Sequence, residues 1–513
     1  MNDERTSSSP IADGLKAKVE EILNRHPAVG LAVGLIRDGR LEFFYGHGFA
    51  DIESKTPITE DTVFRIGSIT KTITAIAVMQ LSEQYLVDLD APANEYLRAY
   101  KLTPADNTHR PATLRHLLTY TAGLPQCAYL SRAFKPILGE MVKFGRPVPT
   151  LAQYYRGALH LVAEPGTRHI YSNHGFATLG QIVEDVTGEP LQGYFRQHIF
   201  EPLGMDDTDL LRSDHLKRRL ATGYALRSHG PRPVGDHDLI TAGSGGIYST
   251  TRDIARYVAA LLGGGTNEHG SVLKPETLTA MFALQYQPDP RLLGVGLAFY
   301  RREVGGHLLI EKSGLVPGFG SQMAMALDDG VGVVAFTNGA KGPHSWLEPE
   351  VSGILGQVLG IPDDAIRTDV SHHPETWSDL CGWYSFRGSW RDVQKWVIAG
   401  AEIIVRGGRL MLRPVTPIPG LRRGFPLHPD DEADPDVFRV DLAKLGIGAV
   451  RLVFSGEAGA AATAFHFEHE PLMSFDKRSA LTNPRPWATG AIAAGTAATI
   501  ARRRGKRRKE TST

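Results

Sequence analysis

The sequence predicts an α/β domain with a helical insertion, followed by a small antiparallel β-domain. Three observations predict this. Strand-like runs occur near the start of the chain and return at residues 307–337, with helical patterns between them. Residues 361–375, IPDDAIRTDVSHHPE, read as a linker. Beyond it, short alternating runs are separated by Gly, Pro and Asp, as in a small β-domain over 376–476. The limits expected are a flexible N-terminus over 1–14, a main domain over 15–360, the linker, the β-domain, and a flexible basic tail over 477–513. At 513 residues, 42% hydrophobic and 22% charged, the chain has material for a large core and several domains.

The elements follow in order. Val29–Ile36 and Leu41–Tyr45 flank Arg37-Asp38-Gly39-Arg40, and two apolar runs about an Asp-Gly predict a β-hairpin. Ile69–Tyr85 carries apolar residues at 69, 73, 76, 77 and 81, helical spacing on a nearly all-apolar segment, so a buried helix is expected. Thr113–Leu118, Phe176–Thr187 (stopped by Gly188) and Ile254–Leu262 also read as helices. His307–Glu311, Gln322–Leu327 and Val331–Thr337 read as strands, the last two joined by Asp328-Asp329-Gly330. In the β-domain the expected strands are Trp396–Ile398, Ile403–Val405, Leu410–Leu412, Val437–Val440, Ala449–Phe454 and Thr463–Phe467.

Charge and cysteine content exclude several classes. Residues 502–513 hold seven of the 56 Lys/Arg and one of the 56 Asp/Glu, leaving 49 against 55 elsewhere. A mildly acidic body is a poor polyanion binder, so no nucleic-acid partner is expected. The basic run is read as a solvated tail, with a weak peripheral contact to an anionic membrane as the alternative. Only Cys127 and Cys381 are present, so neither a disulfide framework nor a four-thiolate zinc site is available. The polar start MNDERTSSSPIADG has no apolar core of a signal peptide. Trp487–Ala501, at 15 residues, is shorter than the about 20 a membrane span needs. A cytoplasmic location is expected.

Three short motifs carry chemistry. Ser68-Ile69-Thr70-Lys71 opens the buried helix, which puts the serine and lysine on one face a turn apart. The helix start favours negative charge developing on the serine, and a desolvated lysine there can serve as base. Alone, the tetrapeptide reads as an N-cap with a solvated lysine; the apolar helix around it, where a surface lysine would be out of place, favours the chemical reading. Tyr171-Ser172-Asn173 offers a phenol for proton transfer and an amide that can donate to a carbonyl. Lys312-Ser313-Gly314 is either a turn after a strand or, on an edge strand, a cation, a hydroxyl and a glycine where a substrate backbone passes close.

Together the three, in this order, resemble the active-site serine hydrolases of the class C β-lactamase and penicillin-binding-protein superfamily. LRHLLTYTAGLP (114–125), EPGTRHIYSNHGFATLGQIVEDVTGEPL (164–191), IFEPLGM (199–205), AGSGGIYSTTRDIARY (242–257) and SGLVPGFGSQM (313–323) also look like that family's segments, and the resemblance covers about residues 15–355. It implies an antiparallel sheet flanked by helices, and a barrel-like C-terminal domain. It implies Ser68 as the acylated nucleophile, Lys71 as the group that helps deprotonate it, and Tyr171 as partner base and proton donor to the leaving group. Asn173 would orient the substrate, Lys312 would support Tyr171 and hold a substrate carboxylate, and Ser313 and Gly314 would line the site. The backbone N–H groups of Ser68 and Leu315 would form the oxyanion hole. Many esterases and peptidases of the superfamily carry histidine where this chain has Lys312, which leans the reading towards lactamases and carboxypeptidases.

The activity expected is therefore hydrolysis through a Ser68 acyl-enzyme on a small-molecule or short-peptide substrate: an ester, an amide or a D-amino-acid peptide. A β-lactamase or D-Ala-type carboxypeptidase is the alternative within enzymes, and a catalytically weak scaffold the alternative outside them. No metal and no organic cofactor is expected. G-x-S-x-G, the phosphate-binding glycine loops and H-E-x-x-H are absent. His466-Phe467-Glu468-His469-Glu470 is read as strand alternation with Phe465 and Phe467 inward and the polar residues outward. His169, His174 and His307 are expected to be structural.

Overall fold

The structure is a computed structural model and describes residues 10–485 apart from 341–345, 363–365, 389–391, 417, 444–446, 458–459 and 470–471. The chain divides into two compact units, the larger running to residue 365 and the smaller starting at 366, with two short returns to the larger.

The larger unit is built on an eight-stranded antiparallel sheet. Gly30–Arg37 (β1) and Arg40–Asp51 (β2) form the expected hairpin. Its turn residues Asp38 and Gly39 have φ of 50° and 73°, the paired left-handed conformation that Asp-Gly favours. Thr56–Pro57 (β3) extends one edge. The other strands come from far along the chain: Gly294–Val295 (β4), Tyr300–Val304 (β5), His307–Val316 (β6), Phe319–Ala326 (β7) and Val331–Thr337 (β8). The spatial order is β4-β5-β6-β7-β8-β1-β2-β3, with Leu31 opposite Thr337 and Arg37 opposite Val331. The helical segments therefore leave the sheet after β3 and return to it at β4, as an insertion does.

Helices cover both faces of the sheet. Pro10–Arg25 (α1), Thr70–Glu83 (α2), Leu114–Leu118 (α3), Asn173–Thr187 (α4), Thr251–Leu262 (α5) and Leu347–Leu359 (α6) are the ones that matter here. Leu31, Val33 and Leu35 of β1 cluster with Leu15 and Val19 of α1 and with Val351 and Ile354 of α6. The alternate residues Ala32 and Ile36 join the opposite core, with Ile73 and Ile76 of α2 and Ile254 and Val258 of α5. Covering on both faces explains why β7 and β8 are buried at every residue and read as continuous apolar runs. α2 is buried at every residue from Thr70 to Leu81, as its all-round apolar sequence predicts.

The smaller unit is a closed eight-stranded antiparallel barrel: Gly382–Phe386 (β9), Gly400–Arg406 (β10), Arg409–Val415 (β11), Phe425–Pro429 (β12), Val437–Asp441 (β13), Ala449–Ser455 (β14), Ala464–Phe467 (β15) and Met473–Arg478 (β16). Aromatic rings meet inside it, Phe465 lying 4.6 Å from Phe475 and 5.0 Å from Tyr384.

Several expectations need correction. α1 begins at Pro10, inside the segment expected to be irregular. Trp396–Ile398 is no strand: Val393–Val397 forms a single helical turn, a distinction that three residues of alternation cannot make. The β-domain does not stop at 476. Its last strand runs to Arg478, and Asn483 Nδ2 and Arg485 Nε reach Glu402 at 2.7 and 2.8 Å, giving a buried carboxylate its partners. Residues 486–513, the basic run included, lie outside the described residues. His466 is 2% exposed rather than outward-facing and bonds Ser474 Oγ at 2.8 Å.

Candidate active site

The site forms where α2 begins. Phe64–Arg65 pairs with Tyr248–Ser249, and a 3₁₀ turn, Gly67–Ile69, leads into α2. Ser68 lies on this turn and Lys71 in the helix's first turn, so the helical rise points the lysine back at the serine. Lys71 is fully buried. Its Nζ donates to Ser68 Oγ at 2.9 Å, Asn173 Oδ1 at 2.9 Å and the Ser244 carbonyl at 2.8 Å.

Asn173 opens α4, and its amide is held from behind. Its Nδ2 donates to Glu140 Oε2 at 3.1 Å, which also accepts from Thr241 Oγ1 at 2.8 Å. Glu140 is fully buried, with His174 Nε2 3.5 Å from its other oxygen. His174 Nδ1 lies 2.9 Å from the Tyr155 hydroxyl. Burial lowers the His174 pKa, against the pull of Glu140. This array orients the amide so that its oxygen faces Lys71.

Tyr171 stands between two lysines, with Lys71 Nζ 5.0 Å and Lys312 Nζ 5.2 Å from its ring centroid. Lys312 is fully buried among aromatic rings, its Nζ 4.7 Å from the Tyr300 centroid and 5.6 Å from that of Tyr120. Tyr120 stacks on Tyr171 at 5.0 Å and holds φ of 59°, an uncommon conformation for a bulky residue and one that concentrates at functional sites. His169 joins this cluster, its Nε2 3.4 Å from the Tyr300 hydroxyl. Burial, and next the charge of Lys312, push its pKa down to about 3, so the imidazole is neutral. His307 lies elsewhere, at the start of β6, bonded to Asp329 at 2.7 Å.

Lys312-Ser313-Gly314 is not a turn: it continues β6, whose earlier residues pair with both β5 and β7. Pairing with β5, however, ends at Tyr300 opposite Glu311, so from Lys312 onward that side of β6 has no strand of this sheet beside it. The turn carrying Ser68 packs there instead, and only glycine allows the approach. A Cβ on Gly314 would stand 2.1 Å from the Ile66 carbonyl oxygen and 2.9 Å from the Ser68 nitrogen. One on Gly67, whose φ is 52°, would stand 2.7 Å from the Leu315 nitrogen. The two glycines thus bring the backbone nitrogens of Ser68 and Leu315 to the same place.

This arrangement of sheet, insertion and converging motifs has known counterparts. A family model, Beta-lactamase, matches residues 15–350. The chain belongs to the beta-lactamase family. An uncharacterized protein of Mycobacterium tuberculosis is 30% identical over 390 residues, 71% of this chain and 90% of that protein. The D-alanyl-D-alanine-carboxypeptidase/endopeptidase AmpH of Escherichia coli (strain K12) is 28% identical over 313 residues, 60% of this chain and 78% of its own. Among solved structures, the octameric penicillin-binding protein homologue from Pyrococcus abyssi superposes with a TM-score of 0.58 at 24% identity, over 90% of this chain and 99% of that one. EstCE1, a hydrolase with promiscuous acyltransferase activity, gives 0.56 at 25% identity, over 64% and 94%. The chain thus has the hydrolase fold shared by beta-lactamases and penicillin-binding proteins.

Sequence reasoning missed part of the site. Tyr120, Thr241 and Ser244 border or lie within segments that carry the family resemblance, but no motif singles them out. Tyr300 had no signal, and neither did Glu140, which arrives from an irregular stretch after a 3₁₀ turn at Pro136–Gly139. No helix among the described residues is long and apolar enough to cross a membrane. Among the same residues, no group of three His, Cys, Asp or Glu side chains is placed to hold a metal ion.

Proposed function

We propose that the chain is a serine hydrolase that forms an acyl-enzyme on Ser68. The observation that carries this reading is the buried Lys71 Nζ at 2.9 Å from Ser68 Oγ. A neutral amine there donates to Asn173 Oδ1 and the Ser244 carbonyl and keeps its lone pair for the serine proton. Ser68 Oγ then attacks the substrate carbonyl carbon. The carbonyl π-electrons move onto oxygen, and the backbone N–H groups of Ser68 and Leu315 hold that oxyanion. The tetrahedral intermediate collapses with loss of the leaving group, which takes a proton through Tyr171. Negative charge passing through that phenol is stabilised by the lysine nitrogens on either side of it. Water enters by the reverse sequence and frees the acid.

Esters, amides and D-amino-acid peptides are the substrate class. The carboxypeptidase/endopeptidase AmpH supports the peptide end of that range, and the promiscuous acyltransferase activity of EstCE1 the acyl-transfer step. Lys312 has no exposed surface, so its role here is to place positive charge beside Tyr171 rather than to meet a substrate carboxylate directly. Incubating the protein with p-nitrophenyl butyrate tests the reading. Release of p-nitrophenol by the wild type, its loss in Ser68→Ala, and a butyryl adduct mapped to Ser68 by mass spectrometry are expected. Release that Ser68→Ala leaves intact overturns it.

A further inference from the structure

A cavity of about 210 Å³ opens just past the end of β6, at Pro317. Pro317 and Phe319 form one wall, and Arg65, Arg212, Asp236 and His237 supply the polar lining. Arg65 is 2% exposed, yet it has little to hold: Nη1 reaches the His237 carbonyl at 2.6 Å and Asp236 Oδ1 at 3.3 Å, and its buried Nε meets no acceptor. Arg212 Nη1 bonds Asp236 Oδ2 at 2.5 Å, and its Nε is likewise buried without an acceptor. His237 is 2% exposed, and its ring leans on the Gly235 backbone without either nitrogen making a well-formed hydrogen bond. Burial, then the charge of Arg65, lower its pKa to about 4, so it is neutral near pH 7 and can donate one hydrogen bond. Two guanidiniums face the Asp236 carboxylate in the lining, the Asp238 carboxylate behind it acts on both, and the two Nε donors remain unmet. Buried donors in that state call for an anionic acceptor.

The position fixes what the anion belongs to. On the proposed mechanism the acyl carbonyl sits at the Leu315 nitrogen, and the leaving group departs on the side of Tyr171 and Lys312. The acyl chain therefore runs the other way, along β6 towards Pro317. Two residues of strand span about 7 Å, the length of an extended chain of five or six carbons. We propose that this cavity binds a carboxylate at the far end of the acyl group, so that the enzyme selects acyl donors ending in a negative charge about five or six carbons from the scissile carbonyl. This rests on the Ser68 acyl-enzyme reading for its chemistry, but the cavity's affinity for a dicarboxylate does not.

Two measurements separate the two. The mono-p-nitrophenyl ester of adipic acid is compared with its methyl-capped diester, which has the same length and no charge. The wild type is expected to favour the charged ester at least tenfold in kcat/KM, and Arg212→Leu to bring that ratio close to one. Calorimetric titration of the full chain with adipate is expected to show saturable binding, weakened at least tenfold by Arg212→Leu and strengthened by Asp236→Asn, which removes the competing carboxylate. A wild-type ratio near one, or a ratio that Arg212→Leu leaves unchanged, overturns the proposal. If neither ester turns over, saturable adipate binding that responds to both substitutions still supports the site, and its absence overturns it.

Discussion

Lys71 depends on its surroundings more than any other residue of the site. Three oxygens lie within hydrogen-bonding reach of a nitrogen that has no exposed surface, and the serine is one of them. Lys71→Ala is expected to lower kcat as far as Ser68→Ala does, because groups that act as one unit do not add. A Lys71→Ala enzyme with a rate near wild type would remove the lysine from the mechanism. Glu140 acts a step further back, as a positioning residue. Glu140→Gln can keep its amide oxygen where Oε2 stands, still accepting from both Asn173 Nδ2 and Thr241 Oγ1, with its NH₂ group towards His174, so it should hold the Asn173 amide and keep kcat near wild type. Glu140→Ala removes that oxygen and lets the Asn173 amide turn, and the expected outcome is a fall in kcat of about tenfold or more with KM little changed. Glu140→Ala, which leaves Asn173 Nδ2 and Thr241 Oγ1 buried without an acceptor, should also cost about 2–4 kcal/mol of stability in urea unfolding. A parallel rise in KM for Glu140→Ala would indicate a substrate contact instead. Ser68, Lys71, Tyr171 and Lys312 were legible in the sequence because short motifs hold them at fixed spacing. Glu140 was not: its importance comes only from the fold placing an isolated carboxylate beside Asn173, 33 residues away.

At the scale of elements, the site is a junction between one strand and one helical turn, and its geometry is set by the absence of side chains. Gly314→Ala would drive a methyl group into the Ile66 carbonyl and Ser321 Oγ, at 2.1 and 2.3 Å as the backbone stands. Ile66 also accepts from Ser321 Oγ at 2.7 Å, so neither atom can withdraw without breaking that bond. The strand and the Ser68 turn must separate, which spreads the Ser68 and Leu315 nitrogens. A loss of about 10²-fold or more in kcat is expected, out of proportion to the drop in melting temperature, since removing one oxyanion donor alone costs that much. Circular dichroism melting beside steady-state kinetics checks it, and an enzyme with unchanged kcat would detach these nitrogens from the reaction. The β1–β2 hairpin was legible because Asp38-Gly39 fits its turn, and α2 because its apolar pattern is long. The Lys312-Ser313-Gly314 segment was harder. Its polar residues look like the end of a strand, whereas β6 continues through them because the Ser68 turn packs where β5 stops. Single-turn features such as Val393–Val397 carry too few residues for a period to show.

At the scale of the whole molecule, the buried histidines set a limit on acid stability. Burial lowers the pKa of His174, and it holds His169 down to about 3 and His237 to about 4, against 6.5 for an unhindered imidazole. The unfolded chain therefore binds protons below about pH 6.5 that the folded chain refuses, and stability falls as pH drops through that window. Asp253 opposes this. Burial raises its carboxyl from 3.8 to about 6, so between those values the folded state keeps a proton that the unfolded state releases, and stability rises as pH falls. Each such proton changes stability by about 1.4 kcal/mol per pH unit. Burial raises the Asp238 carboxyl too, so two aspartates oppose the histidines, but burial also lowers His116 and His428, which with His169, His174 and His237 leaves five imidazoles against them. The net expectation is a urea midpoint that decreases from pH 7 to pH 5. His237→Gln should flatten the slope by removing one refused proton. Asp253→Asn should steepen it, because the amide still accepts from the Asp207 N–H and the Thr208 hydroxyl but no longer titrates. A midpoint that is level or rises towards pH 5 would mean that these imidazoles take up protons without unfolding, and that the neutral His169 beside Lys312 is not a fixed feature of the site.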